Sequence, residues 1–461
     1  MFLEKIHSEG LAHLSYILGD GLQAAVIDPR YDCSVYLGIA HCEQVRITHI
    51  FETHRNEDYV IGSQELAART GAAIYHGAEV SFKYGETARE GDTFTFGSLE
   101  LRVISTPGHT FESLSFVLAD HEFSKDPVAV FTGDALFVGD VGRTDFFPDR
   151  KEEVAGLLYD SIFGKILPLG DHVLLYPAHG AGSVCGSGMA SREFSTLGYE
   201  RKHNPALQVK DREEFIHRKV GEKHVYPPYF KEMEKLNLEG PPLMGHLPRP
   251  VPSATKTFTA AVDEGMLVLD VREPEAVAGA HIPGSLAIPL DMLPGYAGWF
   301  LPYDRDIGLV LTGPEDRDAA VRQLIRLGYR RSSCYLEGGL HGWEISGRPF
   351  ADIPAVYAGT IKKRIAANND FILLDVRKPD EFEKGVIRNA TTLFLGELPQ
   401  RLDELPRDRL ITTFCGSGRR AVIAASILKQ NGFERVEVCF GSMAACRQLG
   451  CDIVKPSGSG S

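Results

Sequence analysis

The 461-residue sequence predicts an α/β protein of three domains, on three observations. The length fits roughly three domains of about 150 residues each. In the first half, short apolar and β-branched runs end in turn residues, as buried strands do. In the second half, a pattern of strands and helices occurs twice, with 105 residues from Asp270 to Asp375. Each copy is long enough to be a separate small α/β domain, not a unit of a solenoid.

Four predicted strands of the first half each end shortly before a side chain that can bind a metal. These strands span 47–51, 99–104, 128–131 and 173–176, and the side chains that follow them are His54, His109, Asp134 and His179. A single histidine in such a place is usually a structural residue. Ligands at the ends of several strands, in contrast, lie on rigid elements at one rim of a sheet. The recurrence therefore predicts a metal site at that rim.

The segment around His54 indicates which metal chemistry to expect. Residues 53–59 read Thr-His-Arg-Asn-Glu-Asp-Tyr, which resembles the Thr-His-x-His-x-Asp-His motif of the metallo-β-lactamase superfamily. That motif normally serves two adjacent metals, but Asn56 and Tyr59 stand at two of its histidine positions. The matching residues that remain are His54, His109 and Asp134. Two histidines and one carboxylate suit non-haem Fe(II) with open coordination positions, and persulfide dioxygenases of this superfamily use these three positions for one iron.

Five further residues of this region are candidate pocket or substrate residues: Asp58, Tyr59, Arg143, His179 and Cys185. We expect Asp58 to hydrogen-bond near the metal instead of binding it, His179 to hydrogen-bond there or to contact the substrate, and Tyr59 to line the pocket. Arg143 either holds an anionic part of the substrate or pairs with Asp145 to fix its loop. Cys185 is either a redox-active thiol that faces the metal or a small buried core residue.

The second repeat contains a candidate nucleophile. A strand pattern over 410–414 leads into Cys415-Gly-Ser-Gly-Arg-Arg420, and a helix pattern follows over 421–431. Backbone N–H groups at the positive end of a helix, together with Arg420, stabilise an anionic sulfur at Cys415. The same loop can hold the anion of a sulfur donor such as thiosulfate. With the upstream Asp-x-Arg, this Cys-x-x-Gly-x-Arg loop resembles the rhodanese sulfurtransferases, which pass sulfane sulfur through a cysteine persulfide.

The first repeat lacks that nucleophile. Its matching loop, 311–317, reads Leu-Thr-Gly-Pro-Glu-Asp-Arg, so Leu311 or Thr312 stands at the cysteine position. Neither side chain can form a persulfide, and Glu315 and Asp316 repel anions. We therefore predict a rhodanese-like domain with a packing, spacing or docking role. Cys334, on a later strand pattern, is expected in the core.

The order of these parts resembles the bacterial persulfide dioxygenase–rhodanese fusions. The resemblance implies an αββα sandwich over 1–240, a Pro/Gly-rich linker over 241–253, a rhodanese-like domain without the active Cys over 254–352, a rhodanese domain with Cys415 over 353–455, and a disordered tail over 456–461. It implies one Fe(II) per chain, bound by the two histidines and Asp134. The catalytic residues of the sulfurtransferase would be Cys415 and Arg420.

The same resemblance implies a sulfide-detoxifying enzyme. Low-molecular-weight persulfides would be oxidised by O₂ to sulfite, and a Cys415 persulfide would convert sulfite to thiosulfate; the reverse sulfur flux is also open. Three alternatives remain at this point. They are a mononuclear zinc thioester hydrolase of the glyoxalase II type fused to a rhodanese, a sulfurtransferase with a degenerate front domain, and a non-catalytic scaffold that responds to sulfide.

Composition limits the possible partners. The net charge of −13 argues against nucleic acid and anionic membranes, since no dense Lys/Arg patch is present. No run approaches the ~18 apolar residues that span a bilayer, and the first residues do not resemble a signal peptide. Eight cysteines without a Cys-x-x-Cys pair suit a reducing cytoplasm, where we expect the protein. A homo-oligomer is the default expectation for such an enzyme.

Overall fold

The computed structural model describes residues 1–186 and 188–455, so the predicted tail, 456–461, lies outside the described residues. The chain forms two compact units that divide between Leu247 and Pro248, with Ile325–Gly328 grouped with the first. Each unit is described by itself below.

The first unit consists of two six-stranded sheets and helices on their outer faces. Its strands are β1 (Phe2–Ser8), β2 (His13–Asp20), β3 (Gln23–Ile27), β4 (Arg46–Phe51), β5 (Ala73–His76), β6 (Glu86–Thr87), β7 (Thr93–Phe96), β8 (Leu99–Ser105), β9 (Leu114–Asp120), β10 (Pro127–Gly133), β11 (Leu174–Pro177) and β12 (Ser195–Thr196). Its α-helices are α1 (Ser34–Cys42), α2 (Ser63–Thr70), α3 (Lys151–Ser161), α4 (Leu197–His203), α5 (Arg212–Val220) and α6 (Phe230–Glu239). The sheet orders are β1-β2-β3-β4-β5-β6 and β12-β11-β10-β9-β8-β7.

The two sheets pack face to face through aromatic side chains. Tyr16 and Phe51 of the first sheet meet Phe131 and Phe116 of the second, with ring centroids 5.0 and 4.9 Å apart. Each such ring buries about 150–250 Å² of surface, and at roughly 25 cal/mol per Å² this contributes several kcal/mol per side chain. The period-2 alternation of the strands places these rings on the inner faces.

Helices cover the outer face of each sheet. Tyr36 of α1 and Leu66 of α2 are buried against the first sheet, and Leu158 of α3 and Phe215 of α5 against the second. The layers are therefore helix, sheet, sheet, helix, which confirms the predicted αββα sandwich. The four predicted metal-proximal strands are β4, β8, β10 and β11, with ends shifted by one or two residues.

The second unit contains two parallel sheets of five strands with identical topology, β13-β17-β16-β14-β15 and β18-β23-β22-β19-β21. Their strands are β13 (Val251–Ser253), β14 (Leu267–Asp270), β15 (Leu286–Ala287), β16 (Ile307–Val310), β17 (Ser332–Leu336), β18 (Ala355–Tyr357), β19 (Ile372–Asp375), β21 (Thr391–Thr392), β22 (Ile411–Phe414) and β23 (Val436–Phe440), and a small ribbon pairs β20 (Val386–Ile387) with β24 (Ile453–Val454). The α-helices are α7 (Thr255–Asp263), α8 (Pro274–Gly279), α9 (Leu293–Phe300), α10 (Asp316–Arg326), α11 (Gly339–Ile345), α12 (Ala358–Ala366), α13 (Pro379–Glu383), α14 (Arg419–Gln430) and α15 (Ser442–Gln448).

The repeat predicted from the sequence is thus a pair of α/β domains. Residues 254–352, together with the edge strand β13, are called the silent repeat below, and residues 353–455 the active repeat; the predicted linker 241–253 therefore ends in a strand that pairs with β17. In both, the nucleophile position follows the central strand of a parallel sheet, β16 or β22, and precedes a helix.

Candidate metal centre and sulfurtransferase loop

The structure brings His54, His109 and Asp134 together in the interior of the first unit. They follow the ends of β4, β8 and β10, and none is more than 2% exposed. The Asp134 Oδ2 atom lies 3.6 Å from His109 Nε2 and 3.8 Å from His54 Nε2. Ligand atoms of one cation lie at such separations, because each is about 2.0–2.2 Å from the metal.

These three atoms fit a metal. His54 Nε2, His109 Nε2 and Asp134 Oδ2 are buried, and within the described residues none has a hydrogen-bond partner. A buried polar atom without a partner costs about 1–3 kcal/mol. The other ring nitrogens are engaged, His54 Nδ1 with the Thr53 hydroxyl at 2.9 Å and His109 Nδ1 with the Arg143 carbonyl at 3.0 Å. These contacts turn both Nε2 atoms toward the same point, as second contacts of metal-binding histidines do.

The surroundings keep His54 and Asp134 in the protonation states that bind a metal. Burial lowers the pKa of His54 to about 3, so its imidazole is neutral and has a free lone pair. Burial by itself would raise the pKa of Asp134, but the neighbouring histidines, His179 first among them, hold it below its usual value. Asp134 is therefore a carboxylate at neutral pH.

His179 lies between two carboxylates instead of joining the three candidate ligands. Its Nδ1 donates to Asp134 Oδ1 over 2.7 Å, and its Nε2 lies 3.1 Å from Asp58 Oδ2. Burial would lower the pKa of His179, but Asp134 and Asp58 raise it well above the usual value. The imidazole thus holds the Asp134 carboxylate so that its other oxygen faces His54 and His109.

Cys185 lies beside this pair. Its sulfur, an Asp58 oxygen and a His179 nitrogen all lie within 4.8 Å of one another, which forms a second buried group of metal-capable atoms. Burial, followed by the charges of Asp58 and Asp134, raises the pKa of Cys185 well above its usual value. In these surroundings the side chain is a neutral thiol, not a reactive thiolate.

Asn56 and Tyr59, which stand at two histidine positions of the motif, both make structural contacts. The Asn56 amide donates to the His54 carbonyl over 3.2 Å. Tyr59 is buried with its ring 3.9 Å, centroid to centroid, from the ring of His13. The second-metal positions are thus filled by an amide and a phenol, neither of which is a good ligand for a divalent ion.

Arg143 forms the loop contact predicted as one of its two alternatives. Its guanidinium is bidentate to Asp145, with both N–O distances 2.7 Å. The remaining nitrogen donates to the carbonyls of Val184 and Val225, and the side chain is 1% exposed. With all three nitrogens engaged, Arg143 fixes three chain segments around the site.

Sequence reasoning missed Glu57, which lies next to the candidate ligands. It is 1% exposed, its Oε2 atom lies 3.5 Å from His109 Nε2, and within the described chain neither oxygen has a hydrogen-bond partner. Asp28 was also missed; it accepts from the backbone N–H and the hydroxyl of Thr53, at 2.8 and 2.7 Å. An acidic residue directly beside the motif aspartate was the available signal for Glu57, whereas the sequence around Asp28 carries none.

In the active repeat, Cys415 follows β22 and is 1% exposed. Its sulfur accepts from the Gly418 N–H over 3.1 Å, and its own N–H donates to the Ser442 hydroxyl over 3.1 Å. Gly418 has φ +114°, and a Cβ there would lie 2.9 Å from the Phe440 ring. The loop therefore needs glycine at this place so that its N–H can reach the Cys415 sulfur.

Arg420 is held in the same loop by a bidentate pair with Glu381, at 2.5 and 2.9 Å. Burial would lower the pKa of Arg420, but Glu381 and other neighbours raise it above its usual value, so the cation persists at any working pH. Asp375, the last residue of β19, forms a second and fully buried ion pair with Arg377.

Strand register identifies the nucleophile position of the silent repeat. Asp270 pairs with Val310, as Asp375 pairs with Phe414, so Leu311 matches Cys415. Of the two residues left open by the sequence, Leu311 is therefore the counterpart and Thr312 is not. Counting on without a gap places Glu315 and Asp316 where the active repeat has its two arginines.

Known families match both halves of the chain. The Metallo-beta-lactamase superfamily model matches residues 9–179, and the Rhodanese-like domain model matches 255–346 and 358–448. These matches assign the first unit to the metallo-β-lactamase superfamily and both repeats to the rhodanese-like domains. Within the described residues, no helix combines the length and apolar character that a membrane crossing requires.

Individual relatives show which family within the superfamily the chain belongs to. Bovine (Bos taurus) "Persulfide dioxygenase ETHE1, mitochondrial" is 30% identical over 239 residues, 49% of this chain and 78% of the relative. A crystal structure titled as a metallo-beta-lactamase from Staphylococcus aureus is 32% identical with a TM-score of 0.66, over 73% of this chain and 99% of that one. A sulfurtransferase of Allochromatium vinosum is 35% identical over 99 residues, 22% of this chain and 92% of the relative. The chain belongs to the persulfide dioxygenase family, with two rhodanese-like domains joined to the oxygenase domain, and it is an enzyme.

Proposed function

We propose that this enzyme oxidises low-molecular-weight persulfides with O₂ at one Fe(II), held by His54, His109 and Asp134, and that Cys415 carries sulfane sulfur between its substrates. The observation that carries the first part is the convergence of three buried, unpartnered ligand atoms beside second-metal positions filled by Asn56 and Tyr59. A mononuclear two-histidine, one-carboxylate set favours Fe(II) over zinc. Iron bound there would supply open positions for the persulfide sulfur and for O₂.

The protein residues position the reaction. All three proposed ligands are at most 2% exposed, so bulk solvent has little access to their side chains. His179 orients the Asp134 carboxylate through its Nδ1 atom. Overall, R–S–SH, O₂ and H₂O would give R–SH and sulfurous acid, which ionises to sulfite.

The sulfurtransferase step uses that sulfite. A second persulfide loads Cys415: the thiolate attacks the terminal sulfur, the S–S bond of the donor breaks, and the thiol leaves. Sulfite then attacks the outer sulfur of the Cys415 persulfide, the new S–S bond forms as the old one breaks, and thiosulfate departs from the regenerated thiolate. Each step is reversible, so thiosulfate could also load Cys415. The cytoplasmic location and a homo-oligomeric state stay predictions.

Metal content and oxygen consumption test the oxygenase part. The purified chain should contain about one iron, and O₂ uptake should begin on adding glutathione persulfide and cease after iron is chelated. A zinc-loaded protein that hydrolyses thioesters without O₂, and shows no O₂ uptake after iron reconstitution, would refute the proposal.

A further inference from the structure

The helix that begins at the Cys415 loop is packed by both repeats. Residues 421–428 of α14 are buried throughout. The backbone N–H of Ala287, on the edge strand β15 of the silent repeat, donates to the Ser426 hydroxyl over 3.1 Å. The Gln430 amide donates to the Gly284 carbonyl over 2.8 Å. The silent repeat therefore contacts α14, the helix whose first two residues are Arg419 and Arg420.

Two acidic residues of the silent repeat hold the first residue of α14. Arg419 Nη1 lies 3.0 Å from Glu273 Oε2, and Nη2 pairs with Asp291. Both acids are 67% exposed, and ion pairs this exposed contribute little to stability. Their effect is to fix the direction of Arg419, whereas Arg420 is the arginine near enough to interact with the charge of Cys415.

A residue of the silent repeat also reaches Arg420. Tyr296, on α9, is buried, and the Arg420 guanidinium is near enough to act on its phenol. Burial raises the pKa of Tyr296 to about 12, so the phenol keeps its proton at neutral pH. The oxygen can accept from Arg420 while the O–H donates to another group. Cys415 is close enough for its charge to act on Tyr296 as well.

Building on the sulfurtransferase role proposed above, we infer that the silent repeat supplies Tyr296 as a substrate-positioning residue of the Cys415 site. Its hydroxyl, beside Arg420, binds the oxyanion end of a sulfur oxyanion, which is thiosulfate as donor or sulfite as acceptor. The sulfane sulfur of that ligand then lies at Cys415. The loss of its own nucleophile thus leaves the silent repeat with a binding function in the neighbouring site.

The test is steady-state kinetics of the full chain with Tyr296→Phe, which removes only the hydroxyl. A lost hydrogen bond to a charged ligand should raise the KM for thiosulfate, with cyanide as acceptor, about 10-fold while kcat stays within about 2-fold. With glutathione persulfide as donor, a rise in the KM for sulfite identifies sulfite as a ligand of Tyr296. The KM for glutathione persulfide itself, which carries no oxyanion, should not change. The matched control is Tyr357→Phe, at a 61% exposed position of β18, with wild-type constants expected.

Two results would overturn the inference. One is a wild-type KM for both oxyanions in Tyr296→Phe; the other is an equal loss with every donor and acceptor, which indicates a purely structural role. Cys415→Ser, measured in parallel, separates this inference from the proposed function. If Cys415→Ser stays active, the sulfur-carrier proposal fails; if it is inactive while Tyr296→Phe is unchanged, only the role of Tyr296 fails.

Discussion

The two repeats share a fold and differ in chemistry. Both sheets have the same strand order, and both keep a buried Asp-x-Arg pair at the end of the second strand, Asp270–Arg272 and Asp375–Arg377. These pairs join the strand end to the following segment, through the carbonyls of Ala280 and Gly385. The fold therefore depends on features that are separate from the nucleophile loop.

The nucleophile loops of the two repeats differ at several positions together, not only at the cysteine. The active repeat pairs Arg420 with Glu381, whereas the matching positions of the silent repeat are Asp316 and Ala276. The Arg420–Glu381 pair is partly buried, with side chains 16% and 27% exposed. The silent repeat has lost both members of this pair, so neither one is left there without its partner.

The largest expected effect separates the two repeats directly. Cys415→Ser should lower the rate of thiosulfate formation by at least about 1000-fold, as the loss of a nucleophile does in other enzymes. The sulfur product should shift to sulfite, because the oxygenase still works. Cys334→Ser in the silent repeat is the matched control and should leave both products unchanged. Ion chromatography of sulfite and thiosulfate measures the outcome. Thiosulfate made at the wild-type rate by Cys415→Ser, with non-enzymatic transfer excluded, would mean that another residue carries sulfur.

Changes at the metal site should not affect the sulfurtransferase activity of the active repeat. His54→Ala or Asp134→Ala should remove iron binding and persulfide-dependent O₂ uptake, because each deletes one of three ligands. Thiosulfate:cyanide sulfurtransferase activity should remain measurable. Iron content per chain and an oxygen electrode give the two readings. Full O₂ uptake in either variant would show that the three residues are not the ligands.

Restoring the silent repeat tests whether the nucleophile or its surroundings matter more. In a Cys415→Ser background, Leu311→Cys alone should give under about 1% of the activity of the active repeat, since Glu315 and Asp316 repel the anionic donor. Adding Pro314→Gly, Asp316→Arg and Ala276→Glu should raise this activity at least about 10-fold. A thiosulfate:cyanide assay measures both steps. Robust turnover by Leu311→Cys alone would show that the thiol is sufficient in this fold.

A smaller effect is expected at Glu57, which lies beside the candidate ligands of the first unit. Its carboxylate is buried beside His109, with Arg55 Nη2 3.6 Å from Oε1, and within the described residues neither oxygen has a hydrogen-bond partner, so a bound cation would stabilise it further. Glu57→Gln should weaken Fe(II) affinity about 10-fold, in the range of second contacts to a metal site. Competition with a chromogenic chelator measures it, with the exposed Glu122→Gln as control. Unchanged affinity would show that Glu57 does not act on the metal.

Much of the site could be predicted from the sequence. His54, His109 and Asp134 each follow a strand end, and the Cys415 loop lies between a strand and a helix, so local patterns were sufficient to select them as candidates. The predicted sandwich and repeat are confirmed for the same reason, because period-2 alternation and turn residues are local signals. The choice between Leu311 and Thr312 was not local, since it depends on the pairing of β14 with β16.

The sequence by itself therefore determined the kinds of chemistry in this protein: a two-histidine, one-carboxylate set and a cysteine loop at a helix start. The tertiary structure decided how these groups are held. His179 reaches Asp134 across 45 residues, Glu57 lies beside His109, and Tyr296 of one repeat lies near enough to Arg420 of the other to interact with its charge. Residue type and spacing along the chain encode which atoms can react, whereas long-range packing alone decides which buried charges become neighbours.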